Sequence, residues 1–408
     1  MNKYAILNGT LSNDLPMLNI KSAENQYLID ENNKRYVDLA SGLWNVSLGY
    51  NNELNQNINK VFSDILHNNI PYLDMTSYYN KLYNSTAEKI LDFVNESSFT
   101  KVFYSNSGSE SLELSLKIAN AIKNGPIILS FSESYHGTFY GGMSISGISK
   151  EIVKNHLPNY EDRITLPFPQ SNEEEKSFIK YVENHSKDIG AIFIEPIIGS
   201  GGIKKCSTDF YNSLIALCRD KKILTIFDEV ATGFYKTGEK FFFKYLFHTP
   251  DIICMSKGLN NGTLPSGAVV INQNTESLLN GKTLKHMSTQ NGNLLCLASI
   301  SETLDFYKKY ESDIHCNITE LQIIIENLTK KYRVKYRSFG TMLAFPIDKN
   351  SLPVVVERLK AKGILVYKFN TKLSSGISLF PPITIEKNVF EASLEIILKT
   401  IVKFGGNV

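Results

Sequence analysis

Residues 223–238 read ILTIFDEVATGFYKTG, and residues 250–259 read PDIICMSKGL. Each stretch contains a continuous apolar run of strand length, and an ionisable residue follows each run, Asp228 in the first and Lys257 in the second. Continuous rather than alternating apolar runs indicate strands that are buried on both faces, as in a parallel sheet covered by helices. Because ligands gather beyond the carboxyl ends of such strands, we expect Asp228 and Lys257 to face one common site.

The surrounding sequence repeats this pattern from about residue 50 to about residue 275. Helical patterns alternate there with further apolar strand candidates, at 102–104, 127–131, 191–194 and 268–271. This alternation predicts an α/β domain with a mostly parallel central sheet, for which we expect the bounds 50–285.

The two ends of the chain have a different character. The segment 1–49 contains a hairpin pattern at 26–39, with good turn chemistry at 31–34. After about residue 290 come a helical stretch from Leu294 to about Lys331, short strand candidates at 342–345 and 364–366, and a last helix from about Lys387 to Phe404. These elements predict a smaller α+β domain over 286–408, which we expect the N-terminal segment to join.

The bulk composition argues against several classes of protein. A chain of 408 residues is long enough for two domains, and a net charge of +2 with both signs interspersed gives no electrostatic reason to expect binding to nucleic acid or an anionic membrane. The sequence has no run of about 20 apolar residues that would predict a membrane span, and its N-terminus lacks the apolar segment of a secretion signal. Five cysteines without CxxC spacing indicate reduced thiols. We therefore expect a cytoplasmic protein without a metal site.

An acid and a lysine at the ends of neighbouring strands can hold opposite parts of one flat cofactor. The Lys257 amine can form a Schiff base with an aldehyde, and the Asp228 carboxylate can keep a ring nitrogen protonated. These are the requirements of pyridoxal 5'-phosphate, whose protonated ring acts as an electron sink. A solvated surface amine is the ordinary interpretation of a strand-end lysine, but the pairing with Asp228 and the motifs below favour the cofactor.

A candidate phosphate site follows the first strand candidate of the sheet. Residues 107–111 read SGSES and begin a helix that we expect to run to about Ala121. Gly108 permits close backbone approach, and Ser109 is a candidate helix cap. The free N–H groups and the dipole of a helix start favour a phosphate, so we assign Gly108 and Ser109 to it, with an ordinary capped helix start as the alternative.

A candidate ring-stacking motif, Tyr135-His136-Gly137, follows the strand candidate 127–131. Tyr135 can stack on a flat ring, and packing in the core is the competing interpretation. His136 alone is more often a hydrogen-bonded structural histidine than a catalyst.

Two more carboxylates follow strand candidates. Glu195 comes directly after 191–194 and precedes the glycine-rich loop 199–202, which together fit an active-site wall; the alternative is a strand-capping acid in a turn. Glu229, next to Asp228, is less specific, and we interpret it as a supporting carboxylate rather than a reactant.

These motifs, in this order, resemble those of the class III aminotransferases, a branch of the fold-type I pyridoxal-phosphate enzymes, along nearly the whole chain. The two stretches quoted first carry the strongest match. The resemblance implies that Asp228 pairs with the pyridinium nitrogen, that Val230 packs on the ring face opposite Tyr135, and that Lys257 is the Schiff-base lysine.

The segment 286–293 resembles the one in which a threonine reaches the phosphate of the neighbouring subunit. This implies such a role for Thr289, and a homodimer with shared active sites. The segment also departs from the family, because Gln290, Asn291 and Leu294 replace its usual aromatic, small residue and proline.

Two positions bear on the substrate. Ser378 stands where members that bind an α-carboxylate carry an arginine, and serine cannot replace that charge. Trp44 resembles the pocket tryptophan of the ω- or amine-directed subgroup, with core filling as the alternative. Arg337 matches a further family motif and is a candidate for binding a carboxylate instead.

The sequence therefore predicts a dimeric pyridoxal-phosphate aminotransferase that works by a ping-pong mechanism. We expect it to move an amino group between a primary amine or non-α amino donor and a keto or aldehyde acceptor. An aminomutase, racemase or lyase of the same family is one alternative, and a non-catalytic pyridoxal-binding protein is another.

Overall fold

The computed structural model describes residues 17–70, 72–148 and 160–405 of the chain. The sequence expectation for the N-terminus concerns residues 1–5, which lie outside these ranges. Over the described residues no helix has the length and apolar character needed to cross a membrane.

Seventeen strands occur in the described part of the chain. They are β1 (Ile20–Glu24), β2 (Tyr27–Asp30), β3 (Arg35–Asp38), β4 (Phe99–Ser105), β5 (Ile127–Phe131), β6 (Arg163–Leu166), β7 (Ile189–Ile194), β8 (Ile197–Ile198), β9 (Lys204–Lys205), β10 (Leu224–Asp228), β11 (Ile252–Met255), β12 (Gly267–Asn272), β13 (Arg337–Phe339), β14 (Met342–Pro346), β15 (Ile364–Leu365), β16 (Tyr367–Asn370) and β17 (Ser375–Leu379).

The helices of the described ranges surround these strands. They are α1 (Ser41–Trp44, a distorted single turn), α2 (Asn52–His67), α3 (Lys81–Val94), α4 (Gly108–Ile122), α5 (Tyr140–Ile145), α6 (Asn172–Asn184), α7 (Thr208–Lys221), α8 (Gln273–Leu279), α9 (Leu294–Lys309), α10 (Glu311–Tyr332), α11 (Leu352–Ala361) and α12 (Lys387–Phe404), with short 3₁₀ turns at Phe242–Tyr245 and Lys257–Asn260. Asn or Ser side chains cap the starts of α2, α3, α4, α6 and α7 by accepting a backbone N–H of the first turn.

A seven-stranded sheet forms the centre of the large lobe, in the order β4-β12-β11-β10-β7-β5-β6. Strand β12 runs antiparallel to both of its neighbours, and the pairs among β11, β10, β7, β5 and β6 are parallel. The mostly parallel α/β sheet expected from the sequence is thus confirmed. Strand β6 was not predicted, since its four residues are only half-buried at the sheet edge and carry no long apolar run.

The N-terminal hairpin pairs with the C-terminal part of the chain. Strand β15 lies parallel to β3, with Ile364 opposite Val37, and completes the sheet β1-β2-β3-β15. A second small sheet has the order β13-β14-β17-β16. Side chains of both sheets and of α10, α11 and α12 share one apolar core, which confirms that the chain ends form the smaller α+β lobe together.

The helical stretch from Leu294 is two helices, α9 and α10, which meet at Tyr310. Helix α9 packs on α2 and α3 of the large lobe, whereas α10 packs on α12 of the small lobe. The boundary at residue 286 stays a prediction, and this packing favours a boundary closer to Tyr310.

Candidate active site

Five chain segments converge beyond the carboxyl edge of the central sheet. They follow β4, β5, β7, β10 and β11, and they bring Ser107, Tyr135, Glu195, Asp228 and Lys257 to one cavity of about 960 Å³. This volume is at the upper end of the range of small-molecule pockets, so it has room for a cofactor together with a substrate. Parallel strands point their carboxyl ends the same way, which is why residues far apart in sequence meet here.

Asp228 ends β10 and makes a buried pair with a histidine. Its Oδ2 lies 2.9 Å from Nδ1 of His136, whose side chain is fully buried, and its Oδ1 accepts a hydrogen bond from the N–H of Val230 at 3.1 Å. The Nε2 of His136 has no hydrogen-bond partner among the described residues. The pair fixes the carboxylate at the cavity floor, so His136 is both structural and a direct support of Asp228.

Lys257 begins a short 3₁₀ turn just after β11 and has a backbone φ of 43°, in the left-handed region that non-glycine residues rarely adopt. Its Nζ lies 4.4 Å from the ring centroid of Trp44. Burial lowers the pKa of the Lys257 amine to about 8, although the negative charges of Asp228 and Glu195 act in the opposite direction. A lysine amine with such a pKa is a usable nucleophile and base near neutral pH.

The start of α4 forms one end of the site. The helix begins at Gly108, and its N-cap is Ser107, whose side chain accepts the N–H of Glu110. The sequence interpretation of Ser109 as the cap is therefore wrong, because Ser109 lies inside the first helical turn. The Oγ of Ser109 accepts the N–H of Thr138 at 3.3 Å, so it ties the helix start to the loop that carries Tyr135.

Two glycines keep this corner open. A Cβ on Gly108 would lie 2.9 Å from a methyl carbon of Val230, and one on Gly137 would lie 2.6 Å from Oγ of Ser109. Gly137 also has a φ of 92°, which only glycine adopts readily. The free helix N–H groups and the open backbone fit a phosphate group, and Val230 and Tyr135 both line the cavity beside them.

Glu195 forms part of the cavity wall and is almost completely buried. Its Oε2 accepts the N–H of Tyr135 at 3.0 Å, and its Oε1 accepts the N–H of Gly199 at 2.9 Å. Burial, reinforced by the charge of Asp228, raises the pKa of Glu195 to about 7. Glu195 thus orients the Tyr135 loop and the glycine-rich loop at once.

Glu229 is directed away from the cavity. It accepts hydrogen bonds from Thr232 and from the N–H groups of Phe242 and Phe243, so it anchors the loop after β10.

An aromatic wall closes one side of the cavity. Trp44 stacks on Phe380 with ring centroids 4.1 Å apart and meets the edge of Tyr367 at 4.8 Å. Trp44 and Tyr367 line the cavity, so Trp44 both fills the core and faces the site. The assignment of Ser378 to the pocket is wrong: its side chain is fully buried in β17 directly opposite Tyr367, and it does not line the cavity.

Arg337 and Thr289 also lie outside the cavity lining. Arg337 donates from Nη1 to the carbonyl oxygen of Gly202 at 3.1 Å and is half-buried. Thr289 is exposed within this single chain. The segment that carries Thr289 contacts helix α4 through His286, whose Nε2 lies 3.3 Å from Oε1 of Glu110.

Several residues of the site were not found from the sequence. Tyr367, Lys349 and Lys368 line the cavity from the small lobe, where the alternation of aromatic and polar residues in 367–370 was the available signal. Lys236 does not line the cavity, but it is fully buried nearby and its Nζ has no hydrogen-bond partner among the described residues. The available signal in the sequence was that Lys236 is the single charged residue of the stretch 230–238.

The fold and the paired Asp228 and Lys257 define a fold-type I pyridoxal-phosphate enzyme. The sequence model of the family "Aminotransferase class-III" matches residues 10–401. The chain belongs to this family and is a pyridoxal-phosphate-dependent aminotransferase.

Similar proteins of known kind cover nearly the full chain. An acetylornithine aminotransferase of Lactococcus lactis subsp. lactis is 32% identical over 95% of this chain and 97% of its own. An adenosylmethionine-8-amino-7-oxononanoate aminotransferase of Helicobacter pylori is 28% identical, over 90% of this chain and 88% of its own. The crystal structure of an amine transaminase from an uncultivated Pseudomonas species, in its pyridoxal-phosphate-bound form, superposes with a TM-score of 0.87 at 22% identity and covers 100% of this chain and 99% of its own.

Proposed function

We propose that the cavity between the two lobes holds pyridoxal phosphate with Lys257 as the covalent attachment point. Gly108 and Ser109 would hold the phosphate, Tyr135 and Val230 the two ring faces, and Asp228 the ring nitrogen. The observation that carries the proposal is the convergence of these side chains on one cavity, with glycine at the two positions where a Cβ would collide.

Bound pyridoxal phosphate supplies a carbonyl carbon that joins to amines and a ring that accepts electrons from the substrate carbon. Asp228 would hold the ring nitrogen of the cofactor, and His136 lies 2.9 Å from that carboxylate and keeps it in place. The amine of Lys257 would hold the cofactor and, when it is not attached to it, would accept and donate the proton that moves during the transfer. A pKa of about 8 lets the amine act in both directions near neutral pH.

The proposed donor is a primary amine or a non-α amino compound, and the acceptor is a keto acid or aldehyde. No arginine lines the cavity among the described residues, which removes the usual bidentate partner for an α-carboxylate. The aromatic wall of Trp44 and Tyr367 instead offers an apolar surface to the body of the substrate.

We also propose a cytoplasmic homodimer in which Thr289 of one subunit reaches the phosphate bound by the other. Tyr78 and Tyr79 are 63% and 70% exposed, and exposed aromatics of this kind are typical of interaction surfaces. The nearby Met75 lies against Gly292, which links this surface to the segment of Thr289.

The proposed attachment point is tested by borohydride reduction of the holoenzyme followed by peptide mapping. The label should fall on Lys257, and Lys257→Ala should lose both the near-visible absorbance of the linkage and several orders of magnitude in turnover. Lys236→Met is the matched control, since it removes a neighbouring buried amine that does not line the cavity. A label that persists in Lys257→Ala refutes the assignment.

The substrate class is tested by single-turnover conversion of the bound cofactor. Alanine, glutamate and a simple primary amine are supplied as separate donors, and pyruvate and 2-oxoglutarate as acceptors. We expect the amine to convert the cofactor fastest. Faster conversion by the two α-amino acids than by the primary amine contradicts the proposed donor class.

A further inference from the structure

The amine of Lys257 lies over an aromatic ring and not beside a carboxylate. Its Nζ is 4.4 Å from the ring centroid of Trp44. Within the described ranges the amine forms no ion pair with the two acids of the cavity floor. Asp228 pairs with His136 instead, and Glu195 accepts two backbone N–H groups. A cation within about 6 Å of a tryptophan ring is attracted by the negative face of the ring, so Trp44 is the partner of the Lys257 ammonium in this structure.

The ring of Trp44 is held in one orientation by its neighbours. Phe380 stacks on it with ring centroids 4.1 Å apart, and Tyr367 meets it edge-on at 4.8 Å. A Cβ on Gly199 would lie 3.1 Å from Cζ3 of the indole, so the glycine-rich loop packs directly against the six-membered ring. Because the ring is already fixed, it loses little further side-chain freedom when it meets the cation.

Both members of the pair have a backbone conformation that non-glycine residues rarely adopt. The φ angle is 66° at Trp44 and 43° at Lys257. The turn that carries Trp44 is anchored by Asp38, whose Oδ2 accepts the N–H of Gly42 at 2.7 Å. Such conformations cost free energy and persist where the surrounding structure enforces them, which is typical of functional sites. The fold therefore holds both residues in strained positions that bring the amine and the ring together.

The contact matters when the amine of Lys257 is not attached to the cofactor. A free ammonium beside Asp228 would compete with the cofactor ring nitrogen, to which that carboxylate is assigned. An ammonium that lies on Trp44 is stabilised without neutralising either acid of the floor. This argument rests on the proposed function, in which Lys257 is the attachment point.

We propose that Trp44 is a positioning residue, whose ring face receives the ammonium of Lys257 when the lysine is free of the cofactor. The contact keeps the amine beside the reacting atoms and away from Asp228. It also favours the protonated form of the amine, so loss of the ring's negative face should lower the pKa of Lys257.

Other titratable groups face the same space and have to be separated from Lys257. Those that line the cavity or lie next to it are Tyr135 and His136 after β5, Glu195 after β7, Asp228 on β10, Lys236 in the loop after β10, Lys349 before α11, and Tyr367 and Lys368 on β16. Burial raises the pKa of both tyrosines above the ordinary value of 10. Burial also brings the pKa of Glu195 up to about 7 and that of Lys236 down to about 7, so these two groups need control variants.

Fluorescence provides a direct test, because Trp44 is the single tryptophan of the chain. Its emission is recorded from pH 6 to pH 10.5 in the apoenzyme and in the holoenzyme loaded with pyridoxamine phosphate, both of which leave Lys257 free. In the apoenzyme we expect a transition near pH 8, as the amine loses its proton and its attraction to the ring. The transition should vanish in Lys257→Met and remain in the controls Lys236→Met and Glu195→Gln.

Fluorinated tryptophans measure the contribution of the ring face with little change of shape. Since Trp44 is the single tryptophan, uniform incorporation of analogues with increasing numbers of fluorine atoms alters this residue alone. Each fluorine withdraws electron density from the ring and weakens its attraction for a cation. The midpoint of the transition should fall stepwise, by about one pH unit in total. The pH midpoint of pyridoxal-phosphate uptake by the apoenzyme should fall with it.

The outcomes separate this inference from the proposed function. A transition that is absent, that persists in Lys257→Met, or whose midpoint does not move with fluorination overturns the role of Trp44. The proposed attachment point still stands in that case if borohydride reduction of the holoenzyme labels Lys257. A label on another lysine refutes the attachment point itself, and the inference fails with it.

Discussion

The protonation of Lys257 offers a test of the site that needs no knowledge of the substrate. Only the neutral amine joins to the cofactor carbonyl, so the rate at which apoenzyme takes up pyridoxal phosphate should follow the neutral fraction of Lys257. With a pKa of about 8, about a quarter of the amines are neutral at pH 7.5, against about one in a thousand for an ordinary lysine. The rate should therefore rise with pH and level off above about pH 9.

The assay is stopped-flow absorbance of apoenzyme mixed with pyridoxal phosphate between pH 6 and 10.5. The reaction of free pyridoxal phosphate with N-acetyl-lysine amide in the same buffers corrects for titration of the cofactor. Asp228→Asn supplies a second arm: the negative charge of Asp228 raises the pKa of Lys257, so its removal should move the midpoint to lower pH. A wild-type midpoint at or above pH 10, or an upward movement in Asp228→Asn, refutes the reasoning.

Three further substitutions test other parts of the structure. Burial lowers the pKa of Lys236 from 10.5 to about 7, so the unfolded chain binds more protons between pH 7 and 10.5 and wild-type stability rises with pH across that window. Lys236→Met should therefore be more stable by about 4 kcal/mol at pH 7.5 and lose most of this gain near pH 10.5, measured by urea unfolding. Gly137→Ala places a Cβ 2.6 Å from Oγ of Ser109 at a backbone φ of 92°. It should therefore weaken cofactor binding about tenfold or more in a fluorescence titration. An unchanged affinity would argue against a phosphate site at this position. Ser378→Arg buries a guanidinium opposite Tyr367, so it should lower the midpoint temperature of unfolding and slow the amine half-reaction. Faster turnover of α-amino acids in a stable variant would instead show that the arginine reaches the cavity.

The sequence alone predicted most strands of the central sheet and the residues that lie at the cavity floor. Buried parallel strands need continuous apolar runs, and such runs are visible without coordinates. A side chain that follows such a run lies at the carboxyl edge by the geometry of the fold. For this reason Asp228, Glu195 and Lys257 could be placed from their neighbours in the chain alone.

Contacts between segments that are far apart in the chain could not be predicted from local sequence patterns. The pairing of β15 with β3, the hydrogen bond of His136 to Asp228 and the stacking of Trp44 on Phe380 join residues separated by long stretches of chain. The helix cap was assigned to the wrong serine, because the choice between Ser107 and Ser109 depends on backbone angles and not on residue type.

The substrate end of the cavity shows which features can be predicted from the sequence and which depend on the tertiary structure. The local sequence pattern predicts where strands lie and which residues follow them, because strand formation depends on burial and hydrogen bonding along a short segment. Whether Ser378 faces the cavity or the core, and whether Lys349 and Lys368 line the cavity, depends on how the small lobe packs over the large one. That packing is a sum of many weak contacts between elements far apart in sequence, so only the tertiary structure of the chain reveals it.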